Sequence, residues 1–322
     1  MSALNIVHIA PTPLVGSPGK IAFTQRLKGH NAIAIALSDY PKGGPLENKF
    51  LENTLMITSF TRRYINECIS VADVIHIHNY LSNDKYIWLQ ELNQKATFAY
   101  QVHSPQREGP LYVLRAEKSS PINYDVKFVV GQHGGRFYPD YIAAPNLILS
   151  PPSIHLRKKG EKLRVMFSPT QKQIGRWTSK YSAALEEALA ALSKANKIEL
   201  IYPEQPVHPN VLMWMRRNCH VTIDEIATGG FHMVSLEGLC AGNIVINRAD
   251  YFAKATFANF CKNSMPPFVY ANDDNIFDVL LELSNDEGKT AKLQKDSFSY
   301  FKDFCNPLEL VEIYNKAYKN VR

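Results

Sequence analysis

Residues Ile223–Asn247 read IDEIATGGFHMVSLEGLCAGNIVIN, and the fold is decided there. Val221-Thr222-Ile223 is a short β-branched run that Thr228-Gly229-Gly230 breaks. Met233 to Ala241 then carries apolar residues at helical spacing, and Gly242 stops this helix before the apolar Ile244-Val245-Ile246. Strand, permissive loop, helix and strand make half of a βαβ unit. Two glycines ahead of a helix let phosphates approach backbone N–H groups, and the helix dipole favours their negative charge. Glu237 lies one turn into the helix. A carboxylate repels phosphate, so its sense at this position is to accept hydrogen bonds from hydroxyls such as those of a ribose.

The same alternation runs outward from this stretch. Before it come the strand-like runs Leu4 to Ala10, Ala32 to Leu37, Asp73 to His78, Thr97 to Val102, Val126 to Val130 and Leu147 to Leu149. Helical spacing falls between them at Ala22 to Lys28, Thr58 to Val71 and Asp84 to Leu92. Ser150-Pro151-Pro152 and the RKKGEK run interrupt the pattern, so the domain boundary is expected there, with domains over 1–155 and 156–304. Leu163 to Phe167 opens a second sheet, continued by Ile198 to Tyr202, the central stretch and Pro267 to Tyr270. The class is α/β: two Rossmann-like domains with parallel sheets covered on both faces. Leu310, Tyr314 and Tyr318, after Pro307, form an apolar helical face. Residues 305–322 are expected to cross back to the first domain.

The 322 residues suit two domains, and 45% hydrophobic with 20% charged residues gives a globular chain. The net charge of +6 is spread along the sequence, without a basic stripe interleaved with aromatics, so no nucleic-acid partner is expected. The Arg157-Lys158-Lys159 cluster reads as a solvated linker, with peripheral contact to an acidic membrane surface as the alternative. Cys68, Cys219, Cys240, Cys261 and Cys305 lack paired or metal-ligand spacing. With no signal peptide and no apolar run near the roughly 20 residues of a membrane span, they indicate reduced thiols in a cytoplasm.

Ligands of open α/β sheets bind beyond the carboxyl ends of the strands, which singles out four loops. Pro11 to Lys20 carries Gly16 and Gly19 ahead of a helix; this is a weak phosphate signal that an ordinary strand-to-helix turn matches equally. His76 and His78 share one strand face, and without a third ligand at sensible spacing His76 reads as packed and His78 as lining the site. His103 ends a strand before Ser104-Pro105, placed to project toward a ligand or to bond a turn. Ser168 to Lys180, SPTQKQIGRWTSK, holds Lys172, Arg176 and Lys180 in a loop that Pro169 and Gly175 keep from forming one helix face. Such cations suit a diphosphate clamp without metal. Asp273-Asp274, the only adjacent aspartates, read as a helix cap, and no metal is expected.

The stretch around Glu237 resembles the signature of retaining, nucleotide-sugar-dependent glycosyltransferases of family 4, with the GT-B fold of two Rossmann-like domains facing each other across a cleft. The resemblance implies a nucleoside-diphosphate sugar as donor substrate, no cofactor, and a glycan, lipid-linked or protein acceptor. It implies cytoplasmic polysaccharide biosynthesis, with peripheral contact at the inner face of the membrane left open. It implies that Glu237 holds the ribose and His103 the donor sugar. Lys172 and Arg176 become the basic pair at the diphosphate, helped by the amides of Gly229, Gly230 and Phe231, while the Gly16 loop lies near the donor phosphates and the acceptor. Many such enzymes carry another glutamate eight positions before Glu237; here Gly229 stands in its place. A non-catalytic nucleotide-sugar or protein-binding scaffold and a sugar-nucleotide epimerase are the alternatives.

Overall fold

The computed structural model describes residues 2–103, 120–133, 138–169 and 182–321. Its chain divides into a first unit, Met1–Leu147 with Pro307–Arg322, and a second, Ile148–Asn306.

The first unit holds β1 (Asn5–Ala10), β2 (Asn31–Ala36), β3 (Leu55–Met56), β4 (Val74–His78), β5 (Thr97–Val102), β6 (Val126–Val130) and β7 (Ile142–Ala144). They form one parallel sheet in the order β3-β2-β1-β4-β5-β6-β7. Helices α1 (Ser17–Leu27), α2 (Arg62–Ser70) and α3 (Asn83–Leu92) connect them. β4 and β5 are buried along their whole length, as near-continuous apolar strands covered on both faces must be.

The second unit holds β8 (Leu163–Phe167), β9 (Ile198–Ile201), β10 (Val221–Ile223), β11 (Ile244–Asn247) and β12 (Val269–Tyr270), parallel in the order β12-β11-β10-β8-β9. Among the described residues its helices are α4 (Ala183–Lys194), α5 (Pro209–Arg217), α6 (Met233–Cys240), α7 (Tyr251–Ala258), α8 (Ile276–Asn285) and α9 (Glu287–Phe304). The chain ends in α10 (Pro307–Leu310) and α11 (Glu312–Asn320), which belong to the first unit. There Leu310, Tyr314 and Tyr318 are buried, and both tyrosine rings pack against Phe128 of β6.

Several expectations are corrected. Helix α1 begins at Ser17, five residues before Ala22, because Gly16 turns the chain with φ 77° and Pro18 is tolerated in a first turn. The seventh strand is Ile142–Ala144 instead of Leu147 to Leu149; Pro145, without an N–H, cannot continue the ladder. Residues 148–155 go with the second unit, where Ser153 N–H donates to Cys240 O at 2.9 Å. Arg157 is neither a solvated linker residue nor a membrane contact. It is buried and donates to Leu283 O (2.7 Å) and Ser284 O (2.8 Å), carbonyls in the last turn of α8 that the helix itself leaves unpaired. Asp273 accepts from Ser182 Oγ at 2.6 Å, and Asn275 is the cap position of α8, so Asp273-Asp274 is not its cap.

Candidate functional site

Strand order reverses in each unit at one place, between β8 and β10 in the second and between β1 and β4 in the first. The loops that leave these strands diverge, and the gap between them is where ligands of such sheets bind.

In the second unit the loop after β10 is fixed by its own carboxylates. Asp224 accepts from His232 N–H (2.6 Å) and Ser235 Oγ (2.7 Å), and Ser235 Oγ accepts from Asn247 Nδ2 (2.9 Å). This buried chain ties the start of α6 to the ends of β10 and β11. Burial pushes the Asp224 carboxyl up, but the charge and hydrogen bonds of His232, with the Ser235 bond, outweigh it and hold it below its ordinary value. Glu225 accepts from Ala227 N–H (2.7 Å), Thr228 N–H (2.8 Å) and Thr228 Oγ1; its burial raises its pKa. Gly229 sits at φ 82°, the left-handed region that disfavours a glutamate, and its carbonyl accepts from Asp250 N–H at 3.1 Å. Gly230 N–H makes a long bond of 3.3 Å to Thr228 Oγ1, and the Phe231 ring is buried on Phe257 and Phe268.

Glu237 follows on α6. Its carboxylate lies 3.1 Å from Arg216 Nη2 and keeps an accessible face, at 22% side-chain exposure against 1% for Arg216. The same Nη2 donates to Ser168 Oγ (3.2 Å), just past the end of β8. Arg216 therefore joins the two loops of the switch point beneath Glu237. Sequence reasoning missed it. Its signal was the spacing of Met213 and Arg216, which puts a cation on the buried face of α5. Lys172 and Arg176 lie outside the described residues.

In the first unit, the loop after β1 runs through Leu14 (φ 48°), Val15 (φ 56°) and Gly16 (φ 77°), three consecutive left-handed residues. For Leu14 and Val15 this costs about 1–2 kcal/mol each; Tyr40 Oη accepts from Val15 N–H at 3.1 Å and helps hold it. His103 stands at the end of β5. Its N–H donates to Asn79 Oδ1 (3.1 Å), and Asn79 is itself left-handed at φ 61°. Behind His103 the rings of His78 and His8 follow: His103 Nε2 to His78 Nδ1 is 2.8 Å, and His78 Nε2 to His8 Nδ1 is 2.9 Å. His78 is fully buried and lines no surface: pairing β1 with β4 sets His8 opposite His76, two residues before His78 on the same strand face, and the His8 ring bonds His78. Burial brings His8 down to about 4 and His103 to about 3, and His76 and His78 well below the usual histidine range, so all four rings are neutral near pH 7.

Among the described residues two clusters have nitrogens and oxygens close enough to share a cation: His8, His76 and His78, and His155, Glu161 and His220. His8 supplies the third imidazole that spacing alone did not show beside His76 and His78. Both nitrogens of His8 and of His78 are, however, engaged in hydrogen bonds. In the second cluster the Arg164 guanidinium reaches His155 Nε2 (2.7 Å) and Glu161 (3.0 Å), the place a metal would take.

Two Rossmann-like parallel sheets, each with its switch point, define the GT-B class of fold. Among solved structures the chain is similar over 99% of its length, and all of the other chain, to an alpha-glucosyltransferase in complex with UDP-glucose and DNA containing an abasic site (TM-score 0.60, 12% identity). It is also similar to sucrose-phosphate synthase from Thermosynechococcus elongatus (TM-score 0.58, 12% identity, 98% of both chains). A third is an alpha,alpha-trehalose-phosphate synthase (UDP-forming) from Burkholderia vietnamiensis (TM-score 0.57, 12% identity, 99% of this chain and 98% of that one). No protein-family model and no curated protein matches the sequence. No helix among the described residues is long and apolar enough to cross a membrane.

Proposed function

We propose that this chain is a glycosyltransferase that moves a sugar, of the hexosyl type, from a nucleoside-diphosphate donor to a glycan, lipid-linked or protein acceptor, without metal and with retention of configuration. The observation that carries the reading is Glu237, a partly accessible carboxylate anchored by buried Arg216 at the switch point of the second sheet. An oriented acceptor there suits the vicinal hydroxyls of a ribose, and the likeness to folds solved with or named for UDP chemistry supports it.

Departure of the diphosphate is the demanding step, since negative charge grows on its oxygens as the sugar becomes oxocarbenium-like. Lys172 and Arg176, with loop amides at Gly229, Gly230 and Phe231, are assigned to that charge, His103 to the donor sugar, and the Gly16 loop to the donor phosphates and the acceptor. The setting proposed is cytoplasmic polysaccharide synthesis.

Thermal-shift measurement with a panel of nucleoside diphosphates is the test, because a ligand that binds only the folded state raises apparent stability. One of the panel is expected to stabilise the protein, and changing Lys172 and Arg176 together to alanine to remove that effect. Binding that survives the double change would overturn the clamp. Product analysis with donor alone separates transfer from epimerisation, which needs no acceptor.

A further inference from the structure

The histidines behind His103 belong to a longer chain of hydrogen bonds whose direction is set at its far end. Glu312, paired with Lys28 at 3.1 Å, is a carboxylate and can only accept. It accepts from Asn315 Nδ2 at 3.3 Å, which turns Asn315 Oδ1 toward Gln25, where it accepts from Nε2 at 3.1 Å. Gln25 then shows its carbonyl to His8, and Oε1 lies 2.7 Å from His8 Nε2, so that nitrogen carries the hydrogen. A neutral imidazole has one N–H, so His8 Nδ1 is bare and accepts from His78 Nε2–H. By the same step His78 Nδ1 is bare and accepts from His103 Nε2–H. Gln25, His8, His78 and Asn315 are all at most 1% exposed, so no water competes along the interior of the chain. Beside this chain the Tyr318 Oη lies 2.6 Å from His76 Nδ1.

We infer that the chain Glu312–Asn315–Gln25–His8–His78 is a tautomer relay that fixes His103 as its Nε2–H form, leaving Nδ1 as a hydrogen-bond acceptor that cannot donate. Gln25 is thus a positioning residue for a histidine two rings away. The consequence for recognition rests on the reading of His103 as a donor-sugar contact: an accepting Nδ1 selects a sugar hydroxyl and cannot serve a phosphate oxygen. A metal in the same cluster would need lone pairs that these bonds already use; only His76 Nε2 lacks a partner among the described residues.

The full chain labelled with 15N-histidine, without ligand and near neutral pH, gives the tautomers directly from long-range 1H–15N correlations, His103→Gln assigning the His103 signal. His8, His78 and His103 are each expected with a protonated Nε2 and a pyridine-like Nδ1. A proton on Nδ1 of His103, or a charged ring, overturns the relay. In Gln25→Leu the His103 nitrogens should move toward tautomer-averaged shifts, and an unchanged His103 in folded Gln25→Leu also overturns it. Should that variant not fold, Glu312→Ala at the surface end carries the same expectation. With ligands, Gln25→Leu should weaken nucleotide-sugar binding about tenfold, the worth of one hydrogen bond, and leave nucleoside-diphosphate binding unchanged. Equal weakening of both overturns the hydroxyl assignment. Failure of any nucleoside diphosphate to bind defeats the glycosyltransferase reading instead and leaves the tautomer result standing.

Discussion

Arg216 shows how much a single buried charge can organise. Its guanidinium is 1% exposed and faces Glu237 at 3.1 Å, so removing either partner leaves the other without its countercharge. Arg216→Met is expected to lower stability by about 3 kcal/mol, the cost of breaking a buried pair, and both Arg216→Met and Glu237→Gln are expected to weaken nucleotide binding. Denaturant unfolding of both single variants and the double variant checks this, with strong non-additivity expected for groups in direct contact. The histidines give a pH prediction of defined sign. The four rings titrate near 6.5 in an unfolded chain but at about 4 for His8, about 3 for His103 and well below the ordinary range for His76 and His78 in the folded one. Between those values the unfolded chain binds more protons, so this stability is fully present above pH 6.5 and is lost as pH falls toward the folded values. Four such groups amount to roughly 5 kcal/mol between about pH 7.5 and about pH 5.5. Urea midpoints that stay level across that range would contradict the neutral, buried cluster.

The helix that carries Glu237 is placed by what its neighbour lacks. A Cβ at Gly238 would lie 2.8 Å from Val245 Cγ2 and 3.0 Å from Thr222 Cβ, so glycine lets α6 press directly on β10 and β11. Gly238→Ala is expected to cost about 2 kcal/mol and to lift Glu237 away from Arg216. Calorimetry checks the first effect and nucleotide affinity the second; a variant as stable and as tight-binding as the parent would show that the sheet gives way freely. At the other end of α6, Gly242 takes φ 63° with Ile154 and Ser153 O where a Cβ would stand, so its role is both helix stop and close contact.

Each unit has its own core, one around Val7, Ile77, Leu89 and Tyr100, the other around Val165, Leu189, Ile223 and Leu280. The first is completed only by the end of the chain, since Tyr314 Oη accepts from Gln101 Nε2 at 3.1 Å and donates to Pro145 O at 3.3 Å, while Tyr318 meets His76. Deleting 307–322 removes two fully buried tyrosines, each worth about 3 kcal/mol or more by analogy with large-to-small core changes, and also uncovers the histidine cluster. Selective loss of the first unit is expected, with 148–306 still folded. Limited proteolysis of the truncated chain checks this, and protection of both units alike would rule it out.

The sequence by itself determined the class of the fold, because apolar runs of strand length alternating with helical spacing leave few other ways to bury them. It also located the loop between β10 and α6 and the stop of that helix, since Gly229 and Gly242, both at positive φ, mark local backbone demands that a single chain reveals. Only the tertiary structure decided what depends on residues far apart in the chain. His8 meets His78 across a strand pair, Gln25 meets Asn315 from the far end of the sequence, and Arg216 meets Glu237 from a neighbouring helix. Arg157 looked solvated because its neighbours are lysines, yet it closes a helix more than a hundred residues away. Local propensity acts through each residue's own backbone and so can be read in order; pairing of buried polar groups is set by which strands and helices become neighbours, and that is fixed only when the whole unit packs.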